Sequence, residues 1–250
     1  MNDKAQNVTR SETTPAPGSA AEREMRAERI LDAAAELLIA WGYRRVTIDE
    51  VARRAQVGKG TVYLHFRTKT VLFLTVLMRK QSEMIERLLD LIDADPATIL
   101  PSRIARILYG WVHEEPLIRA VVLGDPDTLG TLARDAMEVA GDVQERRVSA
   151  LTFHFDLLRD RGVLRTDVSR DQQVHAYTAV VVGFLTIDPL LPLKPLSFEA
   201  KADSLALTVR NALETDVPSA DLTAVAAEVG RYYRELAAHV RAAVDKQTRI

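Results

Sequence analysis

Residues 47–66, TIDEVARRAQVGKGTVYLHF, decide the fold, because two short helices joined by a glycine turn can be read in them. Thr47 can cap the first helix, and Glu50 can reach back to the backbone N–H of Thr47, which forms a capping box. Val57 and Gly58 then turn the chain into the second helix. Two helices joined by a short turn that contains glycine have the outline of a helix-turn-helix.

The second helix can be projected at about 100° per residue. Val62 and Phe66 are four residues apart and are expected to face the core. The opposite side then holds residues that can approach base edges in a DNA groove: Gly60, Thr61 and Leu64. The flanks and the helix start hold groups that can bind phosphates: Tyr63, His65 and Lys59. Each of these side chains also has an ordinary structural interpretation, because aromatic and apolar residues at helical spacing commonly pack against neighbouring helices.

The glycines around Lys59 raise a second possibility, the phosphate-binding loop of a nucleotide hydrolase. A Walker A loop has a glycine five positions before its Gly-Lys pair and a Ser or Thr directly after the lysine. Here those positions hold Arg53 and Gly60, and no strand precedes the loop. The spacing therefore argues against nucleotide hydrolysis.

Charge is concentrated around the same stretch. The whole chain has a net charge of −2, yet residues 41–80 carry 9 basic and 2 acidic side chains. Lysines and arginines that replace phosphate counterions give salt-sensitive binding to nucleic acid. The basic segment therefore favours a polyanion as partner, with a solvated basic surface as the alternative.

Composition sets wider limits. A chain of 250 residues with 47% hydrophobic and 27% charged residues predicts a soluble globular protein of one or two domains. It has no cysteine, which removes disulfides and thiolate chemistry and fits a reducing compartment. No apolar leader and no run of roughly 18 apolar residues is visible, so the expected location is the cytoplasm, without a membrane partner.

The run from Trp41 to Leu77, WGYRRVTIDEVARRAQVGKGTVYLHFRTKTVLFLTVL, closely resembles the N-terminal domain of the tetracycline-repressor (TetR) family of bacterial transcription regulators. Members have an aromatic residue after glycine, a Thr-hydrophobic-x-x-[IV]-A box, the pattern V-x-x-G-x-[LIV]-[YF]-x-[HY]-F, and a lysine that opens the fourth helix. The matching positions are Tyr43, Thr47, Ile48, Val51, Ala52, Val57, Gly60, Val62, Tyr63, His65, Phe66 and Lys69. The chain departs from the pattern at Gly58, where many members have Ser or Thr, and at Arg67-Thr68, where Pro-Ser is frequent.

The resemblance implies roles for particular residues. Phosphate contacts are implied for Thr47, Tyr63, His65 and Lys69, and base contacts for Lys59, Gly60 and Thr61. To these candidate DNA contacts we add Leu64 from the helical projection and Arg45 from the basic segment. Thr68 is expected to cap the fourth helix in place of the missing proline.

The remainder of the chain is expected to be helical. An apolar stripe predicts a long fourth helix from Lys69 to about Ile92 that joins two domains. Further helices are predicted near 98–113, 115–123, 126–162, 169–187, 198–215 and 219–245, with a loop at 188–195. The resulting domains are a disordered tail (1–20), a helix-turn-helix DNA-binding domain (21–68) and a helical effector-binding and dimerisation domain (69–250).

Aromatic, Met and His side chains of the second domain are candidates for an effector pocket, although each is also a common core or interface residue. They are Met84, Tyr109, Trp111, His113, Phe153, His154, His175 and Tyr177. A metal site at His113 is not favoured, because adjacent residues point to different sides of a helix. No cofactor and no catalytic triad is expected.

The sequence thus predicts an all-α, non-enzymatic regulator that binds a palindromic DNA operator as a homodimer. A repressor released by a small-molecule effector is the favoured interpretation, since one short helix reads few base pairs and two of them can face DNA roughly 34 Å apart in a dimer. An effector-independent regulator and an all-helical adaptor or enzyme with a basic module remain alternatives. The dimer interface is expected in 174–187 or 220–244.

Overall fold

The structure is a computed structural model that describes residues 20–132, 141–188, 190, 196–216 and 222–248. Within these ranges the chain forms eleven α-helices, a 3₁₀ helix at Pro96–Ile99 and no β-strand. The predicted all-α fold is confirmed. The α-helices are α1 Ala20–Arg45, α2 Ile48–Arg54, α3 Lys59–His65, α4 Lys69–Ala94, α5 Pro101–Glu114, α6 Pro116–Leu123, α7 Pro126–Leu129, α8 Gly141–Asp160, α9 Arg170–Thr186, α10 Phe198–Leu213 and α11 Leu222–Gln247.

Helix caps fix the ends of the helix-turn-helix as the sequence predicts. The Thr47 hydroxyl accepts a hydrogen bond from the Glu50 backbone N–H at 3.3 Å, and the Glu50 carboxylate accepts one from the Thr47 N–H at 2.8 Å. This reciprocal pair satisfies two N–H groups that the helix itself leaves free. The Thr68 hydroxyl caps α4 by accepting from the Val71 N–H at 3.1 Å.

Gly42 interrupts α1 near its end. Its backbone angles are φ 73° and ψ 157°, a conformation that glycine adopts readily and other residues do not. A Cβ atom at this position would lie 2.3 Å from the backbone oxygen of Asp127 in α7. The missing side chain therefore allows α7 to lie directly against the end of α1.

One hydrophobic cluster joins α1, α2, α3 and the first half of α4. Val62 of α3 and Phe66, which directly follows α3, are buried in it, together with Leu72 of α4. Leu117 of α6 and Leu132, which follows α7, are also buried members of this cluster. The core of the N-terminal part is therefore completed by side chains that follow α4 and α5 in the chain.

The helix α4 contacts both parts of the molecule, as predicted. On one side the Arg79 guanidinium binds the carboxylates of Glu28 and Asp32 in α1 at 2.6 and 2.7 Å. On the other side Lys80 binds Glu115, at the start of α6, at 2.9 Å. Arg87 also donates to the Glu115 carboxylate, so one acidic side chain joins two turns of α4 to α6.

The second half of α4 packs against the C-terminal helix α11. These two helices and α8 share a hydrophobic cluster whose buried members are Met78, Ile85, Leu89, Ala150, Leu236, Ala237 and Val240. The Arg234 guanidinium adds an ion pair to Asp93 at 2.6 Å. The apolar side of α11 is therefore covered by α4 and α8.

Two predicted helices differ from the structure. The predicted helix 98–113 is divided at Pro101, because proline lacks an N–H and suits the first turn of a helix. The predicted helix 126–162 is interrupted after four residues at Gly130, which has φ 55°. The C-terminal part of that predicted helix is observed as α8. Its residues 133–140 lie outside the described residues, as do the predicted tail before Ala20 and most of the predicted loop 188–195.

Candidate DNA-binding surface

The helix α3 presents the predicted face to solvent. Val62 and Phe66 are 0% and 1% exposed, whereas Leu64 is 71% and Tyr63 is 42% exposed. Gly60 is exposed, with open space where a Cβ atom would be, and Thr61 is half-buried. A short helix with its apolar side in the core and a small, open outer face can enter a DNA major groove.

The start of α3 is weakly capped. Gly58 is the N-cap residue, and without a side chain it leaves the cap hydrogen bond unmade. The first N–H groups of α3 therefore depend on other partners. This end of the helix faces away from the core, where phosphate oxygens are suitable acceptors for backbone N–H groups.

Two predicted DNA-binding lysines already have partners within the protein. The Lys59 ammonium donates to the Asp49 carboxylate at 2.8 Å, and this hydrogen bond is the largest cause that raises its pKa. The Lys69 ammonium donates to the Tyr43 backbone oxygen at 2.6 Å and lies 4.4 Å from the centre of the Tyr43 ring. Each ammonium has three N–H donors, so both lysines retain donors for a phosphate.

His65 differs from its predicted position. It was expected at an exposed flank of α3, but it is 4% exposed and its Nδ1 atom has no hydrogen-bond partner in the described structure. The prediction was wrong because residues three and four positions after Val62 both lie on its face of the helix. Burial lowers the His65 pKa, and the charges of Arg26 and Arg23 lower it further.

Arg45 is exposed and forms no ion pair with any residue that the structure describes. Three other exposed arginines share this property but were missed by the sequence analysis: Arg44, Arg53 and Arg67. Arginines that follow α4 commonly pair with carboxylates, for example Arg103 with Asp95 and Arg106 with Asp203. The high net charge of residues 41–80 was the available signal, because few acidic residues lie near enough to neutralise it.

Five of the eight predicted effector-pocket residues belong to one hydrophobic cluster or pack against it: Met84, Tyr109, Trp111, Phe153 and Tyr177. The Tyr109 and His113 rings are 4.2 Å apart and both adjoin Phe198, whereas Phe153 stacks on Tyr232 at 4.3 Å. Trp111 lies under the Arg87 guanidinium at 4.6 Å. Met84 is half-buried against this hydrophobic cluster, and Tyr177 is buried in it.

His154 has a fully buried ring with two hydrogen bonds. Its Nε2 atom lies 2.9 Å from the Ile99 carbonyl oxygen and its Nδ1 atom 3.3 Å from the Tyr233 hydroxyl. Because a carbonyl only accepts, Nε2 donates and Nδ1 accepts, which is the pattern of a neutral ring. Burial lowers the His154 pKa to about 4, in agreement with that tautomer.

Two of the predicted pocket residues do not face the interior. His113 and His175 are both exposed. In α9 the inward side is set by Gln173 and Tyr177, which are buried and four residues apart, so His175 between them points outward. Helical spacing, which was not applied to these two residues, would have excluded His175.

A capped helix, a glycine turn and a short helix with an exposed outer face give this part of the chain the geometry of a helix-turn-helix. The sequence model of the bacterial regulatory proteins of the tetR family matches residues 30–76, from the middle of α1 to the first turns of α4. The N-terminal region of the chain is therefore similar to the helix-turn-helix domain of TetR-family regulators.

Similar proteins match mainly in this N-terminal region. The HTH-type transcriptional regulator SrpR of Pseudomonas putida is 43% identical over 63 residues, which are 25% of this chain and 30% of SrpR. QacR of Staphylococcus aureus is 38% identical over 60 residues, 24% of this chain and 32% of QacR. The alignments thus span less than half of these relatives.

Solved structures share the fold over most of the chain. NalD, the secondary repressor of the MexAB-OprM multidrug efflux pump in Pseudomonas aeruginosa, has a TM-score of 0.55 at 22% identity and covers 79% of this chain and 100% of its own. FadR from Bacillus subtilis, solved in complex with stearoyl-CoA, has a TM-score of 0.52 at 18% identity and covers 73% and 96%. None of the helices described here has the length and apolar character needed to cross a membrane.

Proposed function

We propose that this chain is a sequence-specific DNA-binding transcription regulator, a repressor that leaves its operator when a small molecule binds. The exposed face of α3 carries the proposal, because Leu64 is 71% exposed on a helix whose opposite side is fully buried. A large apolar side chain in such a position is available for a thymine methyl group. The exposed arginines without ion pairs among the described residues, Arg44, Arg45, Arg53 and Arg67, supply positive charge that attracts DNA phosphates.

Within this proposal the contacts divide by type. Gly60, Thr61 and Leu64 meet base edges, and Lys59 adds charge at the groove entrance. Phosphates are bound around them by Arg45, Thr47, Tyr63 and Lys69. His65 contacts DNA only if its ring leaves the core, so we assign it first to the packing of α3 and second to phosphate binding.

A conservative substitution of Tyr63 tests the proposal. Tyr63→Phe keeps the ring and removes the hydroxyl, and a hydrogen bond to a charged group contributes about 1.5–3 kcal/mol. We therefore expect operator affinity to fall by at least about tenfold. Binding is measured by fluorescence anisotropy on a duplex that the wild-type protein selects from a random-sequence pool.

The matched control is Tyr232→Phe in α11, where the ring stacks on Phe153 and faces no proposed DNA contact. This variant should bind the selected duplex like the wild type. Failure of the wild type to select any duplex, or equal affinity of the wild type and Tyr63→Phe, would contradict the proposed role.

We further propose a homodimer through α9 and α10. The exposed or half-buried residues of α9 between Val174 and Ile187 are uncharged, and α10 beside it exposes Leu207 at 58%. The α11 helix, the other candidate, buries its apolar side against α4 and exposes Arg231, Arg234 and Arg241. An uncharged, partly apolar face is better suited to the core of an interface than a charged one.

A charge on each candidate helix distinguishes the two interfaces. Ala179→Arg in α9 should loosen the dimer at least roughly tenfold, because the new guanidinium would be desolvated there. Ala238→Arg introduces the same group on the exposed side of α11 and should leave the dimer intact. Sedimentation velocity reports the mass of each variant. Dissociation by Ala238→Arg alone would place the interface on α11 instead.

The effector is proposed to act through contacts between the second domain and α1 or α4. Its site is proposed in the second domain among the buried or half-buried candidates: Met84, Tyr109, Trp111, Phe153, His154 and Tyr177. Their apolar surroundings favour an uncharged or amphipathic molecule. Binding would shift α4 and change the spacing of the two α3 helices, and this coupling must be reciprocal. Operator affinity that stays constant across small-molecule libraries would contradict it.

A further inference from the structure

The helix α1 begins ten residues before the family match, which starts at residue 30. These additional turns carry two arginines. Arg23 lies four residues before Ala27, and Arg26 lies four residues before Ile30. Ala27 and Ile30 are buried at 2% and 0% exposure. Because residues four apart share one side of a helix, both arginines lie on the side of α1 that faces the helix-turn-helix, beyond the end of its core.

His65 marks where these arginines lie relative to α3. It is the last residue of α3, it is buried, and its Nδ1 atom has no hydrogen-bond partner within the described structure. Arg26 and Arg23 are the charged groups that act on this ring, and both lower its pKa in addition to the effect of burial. Ala27 and Ile30 of α1 are also buried in the same hydrophobic cluster as Val62 and Phe66, and α1 contacts α3 directly, so the start of α1 lies near the C-terminal end of α3.

Arg23 is exposed, Arg26 is half-buried, and neither forms an ion pair with a carboxylate in the part of the chain described. Two unpaired guanidinium groups next to a buried imidazole repel one another and disfavour a proton on the ring. An anion at this place would relieve the repulsion and accept bidentate hydrogen bonds from guanidinium.

We propose that Arg23 and Arg26 form a second phosphate-binding site for duplex DNA, outside the helix-turn-helix and next to the end of the recognition helix. This inference rests on the proposed DNA-binding function. The ligand is the DNA backbone, so the site adds affinity that does not depend on base sequence. It extends the protein–DNA contact along the strand beyond the reach of α3.

The salt dependence of binding tests the site. The logarithm of the binding constant falls with the logarithm of salt concentration with a slope of about 0.9 per phosphate contact. Arg23→Gln/Arg26→Gln removes one or two contacts per subunit, so the slope for a dimer should fall by roughly 2 to 4. The probe is the duplex selected by the wild-type protein, and a duplex of scrambled sequence should show the same reduction.

The control is Arg231→Gln/Lys246→Gln, which removes the same number of charges from exposed positions of α11. Its slope should equal that of the wild type. A slope for Arg23→Gln/Arg26→Gln that matches this control overturns the inference. Absence of any duplex binding by the wild type would instead overturn the proposed function, so the two failures are distinguishable.

A measurement without DNA tests the geometry separately. The His65 pKa, followed by NMR during a pH titration, should be higher in Arg23→Gln/Arg26→Gln than in the wild type, because two positive charges have been removed from the ring. The Arg231→Gln/Lys246→Gln control should leave it unchanged. An identical His65 pKa in all three proteins would overturn the placement of the arginines beside α3.

Discussion

Gly42→Ala is expected to destabilise the folded protein by about 2–6 kcal/mol. The alanine side chain would occupy a backbone conformation that costs about 1–3 kcal/mol for a residue other than glycine. Its Cβ atom would also lie 2.3 Å from the Asp127 backbone oxygen, and relief of such overpacking typically costs a further 1–3 kcal/mol, approximately. Urea unfolding followed by circular dichroism measures the change in the free energy of unfolding.

Gly110→Ala in α5 is the matched control for this substitution. A Cβ atom at Gly110 meets no atom within 4 Å, and the residue lies inside a regular helix. Alanine in a helix is more stable than glycine by roughly 0.5–1 kcal/mol, so the control should unfold at a higher urea concentration. Equal unfolding midpoints for both variants would show that α7 does not approach Gly42 as closely as the structure indicates.

Phe66→Ala should destabilise the protein by about 3–5 kcal/mol, because the ring is 1% exposed and its removal leaves a cavity in the N-terminal hydrophobic cluster. Leu64→Ala, two residues earlier on the same helix, should change the free energy of unfolding by less than about 0.5 kcal/mol. Operator affinity should show the reverse pattern. Leu64→Ala should weaken operator binding although the protein stays well folded.

The pair Phe66→Ala and Leu64→Ala reports which side of α3 is buried. Thermal unfolding and operator titration of both variants provide the four values needed. A large loss of stability in Leu64→Ala combined with a small one in Phe66→Ala would mean that α3 is rotated by about half a turn, since neighbouring residues are about 100° apart. The proposed base contacts would then be untenable.

Local sequence patterns predicted the helix-turn-helix correctly where the determining interactions are local. The capping box joins Thr47 to Glu50, three positions later. The burial of Val62 and Phe66 follows from their spacing of four. The same reasoning also contained the information for His65, which lies three residues after Val62, but the helical projection placed it on a flank that binds phosphate. The burial of His65 shows that the buried side of α3 is wider than the projection from Val62 and Phe66 allowed.

Contacts between distant segments were not predictable from such patterns. Glu115 binding to Lys80 and Arg87, and the approach of Asp127 to Gly42, depend on how α6 and α7 fold back onto α1 and α4. The ring contacts among the effector-pocket candidates were not predictable either. Residue type alone does not show which rings meet: Tyr109 lies against His113, Phe153 stacks on Tyr232, and Trp111 lies under Arg87.

The burial of Leu117 and Leu132 among α1 to α4 has a practical consequence for engineering. A fragment that ends near residue 68 would retain the operator-reading helices but would expose the apolar surface that these two leucines cover. A fusion of this DNA-binding domain to the effector-binding domain of another regulator therefore has to keep α6 and α7 together with α1 to α4. A hybrid joined within α4 would need compensating substitutions at the contact between the two domains.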